Sequence, residues 1–225
     1  MKKSILALCA LTLAAGLVAC GGGTSSYTVG GTVIGLQYGP LVLVSNGMEV
    51  AIEPQKDASG NFVASYTFPK QLDYGEAYNV TLKTTGTDAA GNPIYQYPPH
   101  QVCGPSSDRN SRTSDTAGRL SAINASFVCE LASHPIGGTI EGLAADGLIL
   151  TNGSGGGTLA LTKDATTGAY PTTFLFSVPV VYDQTFGVTV LAQPSGQTCT
   201  VANGAGTMKD VAVTAIQVKC STNPA

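Results

Sequence analysis

An internal repeat, with a period of roughly 100 residues, limits the folds open to this chain of 225 residues. The segment VGGTVIGLQYGPLVLVSNG at 29–47 matches IGGTIEGLAADGLILTNG at 136–153. Further along, AYNVTLKT at 77–84 matches TFGVTVLA at 185–192. A unit of about 100 residues is long enough to bury a core of its own. The repeat therefore predicts two tandem domains.

The second copy begins close to Pro135, so we place the domain boundary within 131–134. Module 1 is then 27–132 and module 2 is 133–225.

Each module ends in a pair of cysteines. The segments HQVC and SAINASFVC end at Cys103 and Cys129, while GQTC and VTAIQVKC end at Cys199 and Cys220. An even number of cysteines predicts disulfides in an oxidising compartment, and four cysteines allow three connectivities. The repeat selects Cys103–Cys129 with Cys199–Cys220, because each module then contains its own pair. The alternative, a metal site of four thiolates, lacks the C-x-x-C spacing typical of such sites.

The hydrophobic pattern within each module is that of strands. In YNVTLKT, Tyr78, Val80 and Leu82 lie on one face and polar residues on the other, as in a half-buried strand. Turn sequences rich in Gly, Asn and Asp separate about seven such strands per module. No segment after Cys20 combines helical periodicity with caps. We therefore predict an all-β fold of two immunoglobulin-like β-sandwiches, although the chain has no tryptophan to complete the antibody pattern.

The N-terminal residues have the pattern of an export signal. Lys2 and Lys3 precede an apolar run from Ile5 to Val18, which is shorter than the roughly 20 residues needed to span a bilayer. The alternative is a short membrane anchor or a buried helix. After Cys20 the sequence GGGTSS has the composition of a flexible linker.

The segment Leu17-Val18-Ala19-Cys20 resembles the lipobox of bacterial lipoproteins. The resemblance implies that 1–19 is a cleaved signal peptide and that Cys20, the first mature residue, carries acyl chains such as palmitate. Residues 20–26 would then tether the modules to the lipid bilayer, since two or three acyl chains anchor stably where one does not. Gly21 is not the aspartate that retains such proteins at the inner membrane, so the resemblance implies the outer membrane. The sequence leaves open whether the modules face the periplasm or the cell surface.

Two longer motifs resemble tandem repeats of bacterial envelope lipoproteins and large surface proteins. These are YTVGGTVIGL at 27–36 and QPSGQTCTVANGAGT at 193–207. The resemblance implies a β-sandwich repeat of the cell envelope and implies no catalytic residues. Module 1 keeps the opening motif but replaces the later one with other residues.

Composition argues against several functional classes. The chain from Cys20 carries nine basic and 14 acidic side chains, a net charge of −5, so we expect no nucleic-acid partner. His100 and His134 are the only histidines, and neither a G-x-S-x-G turn nor an H-x-x-x-H spacing accompanies them. We expect no catalytic residue, no metal site and no cofactor. The D-x-x-G-N segments at 57–61 and 88–92 indicate turns rather than calcium loops.

Module 1 also contains residues that module 2 lacks, at 92–119. We interpret them as an extended loop, either a variable solvated segment or a binding site. Tyrosine and arginine are enriched at binding hot spots, and loops on rigid sandwiches commonly carry recognition. The candidate binding residues of this loop are Tyr95, Tyr97, His100, Arg109, Arg112 and Arg119.

Three functions follow as hypotheses. The first is a non-catalytic structural or binding module, anchored to the envelope, with a protein or glycan ligand. The second is an envelope enzyme or accessory subunit whose site is not recognisable from the sequence. The third is a periplasmic scaffold that associates with its own kind through sheet edges. The sequence does not indicate the oligomeric state.

Overall fold

A computed structural model describes residues 25–120, 122–153 and 155–224. The predicted signal peptide, Cys20 and most of the tether lie outside these residues. The described chain is all-β, as predicted, and contains no helix. Accordingly, none of the described residues form a helix with the length and apolar character needed to span a lipid bilayer.

Short strands make up both modules. Those of module 1 are β1 (Ser26–Tyr27), β2 (Val29–Ile34), β3 (Leu41–Ser45), β4 (Met48–Ile52), β5 (Val63–Thr67), β6 (Leu72–Asp73), β7 (Ala77–Asn79), β8 (Thr81–Leu82), β9 (Thr84–Thr87), β10 (Pro93–Tyr95), β11 (Gln101–Pro105), β12 (Ser114–Thr116), β13 (Ile123–Asn124) and β14 (Phe127–Leu131). Those of module 2 are β15 (Ser133–His134), β16 (Ile136–Glu141), β17 (Ile149–Asn152), β18 (Thr158–Ala160), β19 (Thr173–Leu175), β20 (Val180–Val181), β21 (Thr185–Ala192), β22 (Gln197–Ala202), β23 (Ala205–Thr207) and β24 (Val213–Thr222).

The two modules share one sheet order. In module 2 one sheet runs β19-β16-β24-β22 and the other β18-β17-β21-β23. In module 1 the corresponding strands run β5-β2-β14-β11 and β4-β3-β8, and β13 pairs with β2 ahead of β14. The first long strand of each module pairs in parallel with its last, β2 with β14 and β16 with β24. The repeat seen in the sequence is therefore a repeat of topology.

Each module has its own hydrophobic core. The alternation expected of half-buried strands is clear in β3, where Leu41, Leu43 and Ser45 are buried and the two valines that alternate with them are half-buried. The last buried core residue of module 1 is Cys129 and the first of module 2 is Ile136, one on each side of the predicted boundary. The largest fully buried side chains are Phe127, Leu36, Leu41, Leu43, Ile136, Leu148, Leu150, Met208 and Ile216.

The structure contains the disulfides Cys103–Cys129 and Cys199–Cys220. In each case the two cysteines are direct partners on neighbouring antiparallel strands, with Cα atoms 4.0 and 3.9 Å apart. Each bond therefore staples two strands of one sheet, β11 to β14 and β22 to β24, and does not join the two sheets.

A buried glutamine two residues before the first cysteine ties each module's opening loop to its core. Gln101 Oε1 accepts hydrogen bonds from the backbone N–H groups of Gln37 (2.8 Å) and Tyr38 (2.9 Å), and Nε2 donates to the Gly35 carbonyl (2.7 Å). Gln197 makes the matching bonds to the Ala144 N–H (2.8 Å) and the Gly142 carbonyl (2.7 Å). The backbone polar groups of the loop are thereby satisfied although they lie beside the core.

Glycine is required at the start of this loop. Gly35 and Gly142 have φ angles of 80° and 77°, which residues with a Cβ rarely adopt. A Cβ at either position would also collide with a backbone carbonyl, that of Cys129 or Cys220. The loop, the glutamine and the disulfide thus form one connected unit in each module.

The prediction of one extended loop at 92–119 is corrected by the structure. The segment begins in a turn, contains strands β10 and β12, and includes all of β11, which carries Cys103. The additional residues of module 1 are instead a β-hairpin, β9–β10, placed before β11, and a longer connection after it. In module 2, β21 reaches β22 through residues 193–196 alone. The predicted loop therefore spanned two separate insertions and the β11 segment between them, although HQVC in β11 matches GQTC of module 2.

Candidate functional site

The inserted hairpin of module 1 is closed by an aspartate turn. Asp88 Oδ1 accepts hydrogen bonds from the N–H groups of Ala90 (2.9 Å) and Asn92 (2.8 Å), and Oδ2 accepts one from Asn92 Nδ2 (3.0 Å). The hydrogen bonds from the Asn92 side chain and backbone hold the pKa of Asp88 below its ordinary value.

The other D-x-x-G-N segment has the same geometry. Asp57 Oδ1 accepts from the N–H groups of Ser59 (2.8 Å) and Asn61 (2.9 Å), and the backbone bond from Asn61 contributes most to its lowered pKa. Both carboxylates are thus engaged by their own turns. No group of three or more potential metal ligands occurs among the residues that the structure describes.

The inserted hairpin covers a cavity of about 260 Å³ against the body of module 1. Tyr95 and Tyr97 form one wall, with ring centroids 6.3 Å apart and planes inclined at 58°. They remain 37% and 42% exposed, so both rings are available to a ligand. We call this the tyrosine cavity; the remaining lining residues are Asn79, Val80, Thr81, Leu82, Cys103, Gly104, Pro105, Thr113 and Phe127.

The tyrosine cavity has an apolar floor and polar, uncharged margins. Val80, Leu82 and Phe127 belong to the buried core, which makes the floor rigid. Asn79, Thr81 and Thr113 contribute amide and hydroxyl groups, and none of the lining residues is ionisable at neutral pH. Such a surface suits a neutral ligand that offers an apolar face to the tyrosine rings and hydroxyl or amide groups at its edge.

Module 2 has a larger depression, of about 610 Å³, beside Asn152 and Phe186. Asn152 Oδ1 already accepts the Gly187 N–H at 2.8 Å, and glycine and aliphatic residues form most of the wall. It lacks a pair of facing aromatic rings, so the tyrosine cavity is the better candidate site.

The three candidate arginines lie outside the tyrosine cavity. Arg119 and Arg112 both approach Asp115, with Nη1 3.2 and 3.8 Å from its carboxylate oxygens, while Arg109 is exposed. The Thr116 N–H, followed by Arg119 and Arg112, holds the pKa of Asp115 below its ordinary value. The structure thus brings Tyr95 and Tyr97 together and separates them from the arginines.

His100 lies at the joint between the modules. Its Nδ1 is 2.7 Å from Asp210 Oδ2, and its ring stacks on Tyr182 with centroids 3.9 Å apart. Tyr38 packs edge-on against the same imidazole at 4.9 Å. The His100 carbonyl accepts the N–H of Ala132, the residue at the crossing between modules (2.8 Å). His100 therefore serves inter-module packing and does not face the tyrosine cavity.

The two histidines show no catalytic arrangement. Among the described residues, neither hydrogen-bonds to a serine or a cysteine, as a nucleophile triad would require. His134 lies in β15, and its Nε2 is buried without a partner in the described chain. Sequence reasoning identified His100 but missed its partners Tyr38, Tyr182 and Asp210, because they are distant in the chain and belong to no motif.

No protein-family model matches the chain, and no curated protein matches it. Two solved structures are similar in part. One is the shaft pilin SpaA of Lactobacillus rhamnosus GG, with 13% identity over 89% of this chain and 100% of the pilin, at a TM-score of 0.26. The other is the major pilin protein (T-13) of Streptococcus pyogenes, with 9% identity over 88% of this chain and 97% of the pilin, at a TM-score of 0.25. These scores are too low to transfer the role of either pilin to this chain.

Proposed function

We propose that the protein is a non-catalytic binding module of the bacterial envelope. It is anchored to the membrane by an acylated Cys20, and it binds a protein or glycan ligand at the tyrosine cavity. The observation that carries the proposal is the hairpin β9–β10. It is the main addition to one of two otherwise matching modules, and it brings Tyr95 and Tyr97 onto a rigid, disulfide-stapled sheet. A binding site is most effective when a rigid scaffold holds its residues in place.

The envelope location is supported by two independent features. Two intramolecular disulfides suit an oxidising compartment, and the N-terminal sequence resembles a lipoprotein signal ending at Cys20. The outer membrane follows from Gly21 by the same resemblance.

Ligand binding is tested on an array of neutral and acidic oligosaccharides and of immobilised envelope proteins. We expect wild-type protein to bind a neutral glycan or a protein, and the double variant Tyr95→Ala/Tyr97→Ala to lose at least tenfold in affinity. Tyr170→Ala, a half-buried tyrosine of module 2, is the matched control and should bind normally. Equal binding by the double variant would remove the tyrosine cavity as the site. A hydrolase activity lost in a His100→Ala variant would overturn the non-catalytic assignment.

Anchoring and location are tested on cells. Mass spectrometry of the N-terminal peptide of the envelope protein should find an acylated Cys20, and Cys20→Ser should release the protein from the membrane fraction. Protease treatment of intact cells, followed with an antibody to module 2, then distinguishes the two faces. Cleavage in intact cells places the modules at the surface, and cleavage only after permeabilisation places them in the periplasm.

A further inference from the structure

Tyr74 and Tyr182 occupy equivalent positions in the two modules. The Tyr74 N–H donates to the Ser25 carbonyl (3.1 Å), and the Tyr182 N–H donates to the Ala132 carbonyl (2.7 Å). Each tyrosine directly follows a two-residue strand, β6 or β20, that pairs with the first strand of its module.

The segments facing these tyrosines are also equivalent. Gly75 donates to the Ala117 carbonyl (2.9 Å) and Asp183 to the Met208 carbonyl (3.0 Å). The residues that follow therefore correspond, 118–120 in module 1 and 209–211 in module 2. We call Tyr74, Gly118, Arg119 and Leu120 the terminal face of module 1.

The two equivalent faces differ in what covers them. In module 2 the face is docked on module 1, since Tyr182 stacks on His100 and Asp210 pairs with the same imidazole. In module 1 the equivalent tyrosine has no such cover, and Tyr74 is 71% exposed. Leu120, like its counterpart Val211 in module 2, is also exposed. The docked ring, Tyr182, is thus half-buried, while the equivalent ring, Tyr74, is exposed.

The far end of module 2 in a second copy of the chain cannot cover the terminal face in the way that module 1 covers module 2 at the joint. The receiving residues at the far end of module 1 are Tyr38 and His100. In module 2 the position equivalent to Tyr38 is Ala145, the residue after Ala144, whose N–H donates to Gln197. The position equivalent to His100 is Gly196, the residue before Gln197. The far end of module 2 therefore lacks both receiving rings.

The chain connecting the terminal face to Cys20 is short. Ser25 is hydrogen-bonded beside Tyr74, and five residues from Cys20 to Ser25 extend to at most about 18 Å. This step rests on the proposed acylation of Cys20. With the acyl chains in a bilayer, the terminal face is held within that distance of the lipid.

We infer that the terminal face lies on the lipid surface, with the Tyr74 ring and the Leu120 side chain at the level of the headgroups. Tyrosine suits this position because its ring is apolar and its hydroxyl remains hydrated. Arg119 is paired with Asp115, and the nearby exposed charges, Lys70, Asp73 and Glu76, are of both signs. The contact is therefore driven by apolar burial, and it should form equally on zwitterionic vesicles and in high salt.

Fluorescence can test this contact directly because the chain has no tryptophan. A Tyr74→Trp variant provides a single tryptophan in the terminal face. The chain from Cys20 is coupled through Cys20, the one cysteine outside the disulfides, to maleimide-bearing phosphatidylcholine vesicles. The vesicles contain phosphatidylcholine brominated near the headgroup end of its acyl chains, which quenches tryptophan only on contact. Chemical coupling makes the measurement independent of natural acylation, which mass spectrometry decides separately.

A Leu191→Trp variant is the matched control, because Leu191 is exposed on β21 of module 2. We expect at least a twofold loss of emission for Tyr74→Trp in brominated against unbrominated vesicles, and no loss for Leu191→Trp. Equal emission of the Tyr74→Trp variant in both vesicles would overturn the inference. Quenching of both variants alike would also overturn it, since the contact would then not be specific to the terminal face. Sedimentation of the uncoupled chain as a dimer that Tyr74→Ala dissociates would assign the face to a second copy instead.

Discussion

Modules 1 and 2 have the same sheet order, the same stapled strand pair and the same buried glutamine, but they differ in one inserted hairpin and in the residues at their ends. The shared features connect the opening loop to the last strand, through Gln101 and Cys129 in one module and Gln197 and Cys220 in the other. Module 1 alone has the β9–β10 hairpin. The comparison separates what maintains the fold from what is available for function.

The ends of the modules differ in a second way. At the far end of module 1, His100 adopts a φ of 61°, while the equivalent Gly196 adopts 68°. A histidine in this conformation is unfavourable relative to glycine. Module 1 tolerates it at the one place where the ring packs between Tyr38 and Tyr182. His100 therefore marks the joint, whereas module 2 has a glycine at the equivalent position.

The disulfides provide the largest expected effect and the most direct test of module equivalence. We expect Cys103→Ser/Cys129→Ser and Cys199→Ser/Cys220→Ser each to cost about 3 kcal/mol in its own module. The sequence separations of 26 and 21 residues predict a difference of only about 0.2 kcal/mol between them. Hydrogen exchange with mass spectrometry in urea measures each module separately. A difference above about 1 kcal/mol would show that the loops do not unfold as equivalent units.

The glutamines provide the next largest effect and should distinguish the modules. Gln101→Ala removes the partners of three backbone groups and Gln197→Ala those of two. An intramolecular hydrogen bond contributes about 1 kcal/mol, so we expect losses of about 3 and about 2 kcal/mol. Gln217→Ala, exposed on β24, is the control and should change stability little. The same exchange measurement applies, and equal losses would contradict the count of hydrogen bonds.

The fold could be predicted from the sequence because its signals are local or repeated. Alternation along β7 and β14 indicates strands, and the repeat assigns Cys103 to Cys129 without any knowledge of the structure. The tyrosine cavity could be predicted only in part. Tyr95 and Tyr97 were recognisable by residue type, but their common wall depends on a hairpin that the sequence comparison merged with β11.

The joint could not be predicted from the sequence, for a physical reason. Its contacts join His100 to Tyr182 and Asp210, and neither partner belongs to a motif or to a periodic face. Tyr74 illustrates the same limit, since its equivalence to Tyr182 is visible only in the backbone hydrogen bonds of the two ends. Contacts between folded units depend on surfaces that assemble only after each unit has folded.

The joint is tested by giving module 1 the glycine that module 2 has at the position equivalent to His100. His100→Gly keeps the positive φ but removes the stack on Tyr182 and the contact with Asp210. An aromatic stack contributes about 1 kcal/mol, so we expect the modules to separate more readily while each keeps its own stability. Small-angle X-ray scattering should show a larger and broader distribution of dimensions than wild type. Arg109→Ala, on an exposed connection of module 1, is the control, and identical scattering for both variants would contradict the assigned joint.

The smallest effect concerns the aspartate turns and compares a shared turn with an inserted one. Asp57 and Asp164 close the same connection in the two modules, while Asp88 closes the inserted hairpin. Backbone hydrogen bonds from Asn61 and Thr167, and the Asn92 side chain, lower the pKa values of these carboxyl groups in the folded state.

A lowered folded-state pKa stabilises the protein above the ordinary pKa of aspartate, and that stabilisation is lost as the pH falls below about 4. We therefore expect Asp57→Asn and Asp164→Asn to flatten the acid dependence of thermal unfolding in modules 1 and 2 respectively. Asp88→Asn should leave both curves unchanged and only increase hydrogen exchange within the β9–β10 hairpin, because that hairpin forms a two-stranded sheet of its own, apart from the sheets that the two modules share. An effect of Asp88→Asn on the unfolding of module 1 as large as that of Asp57→Asn would mean that the inserted hairpin has become part of the cooperative core.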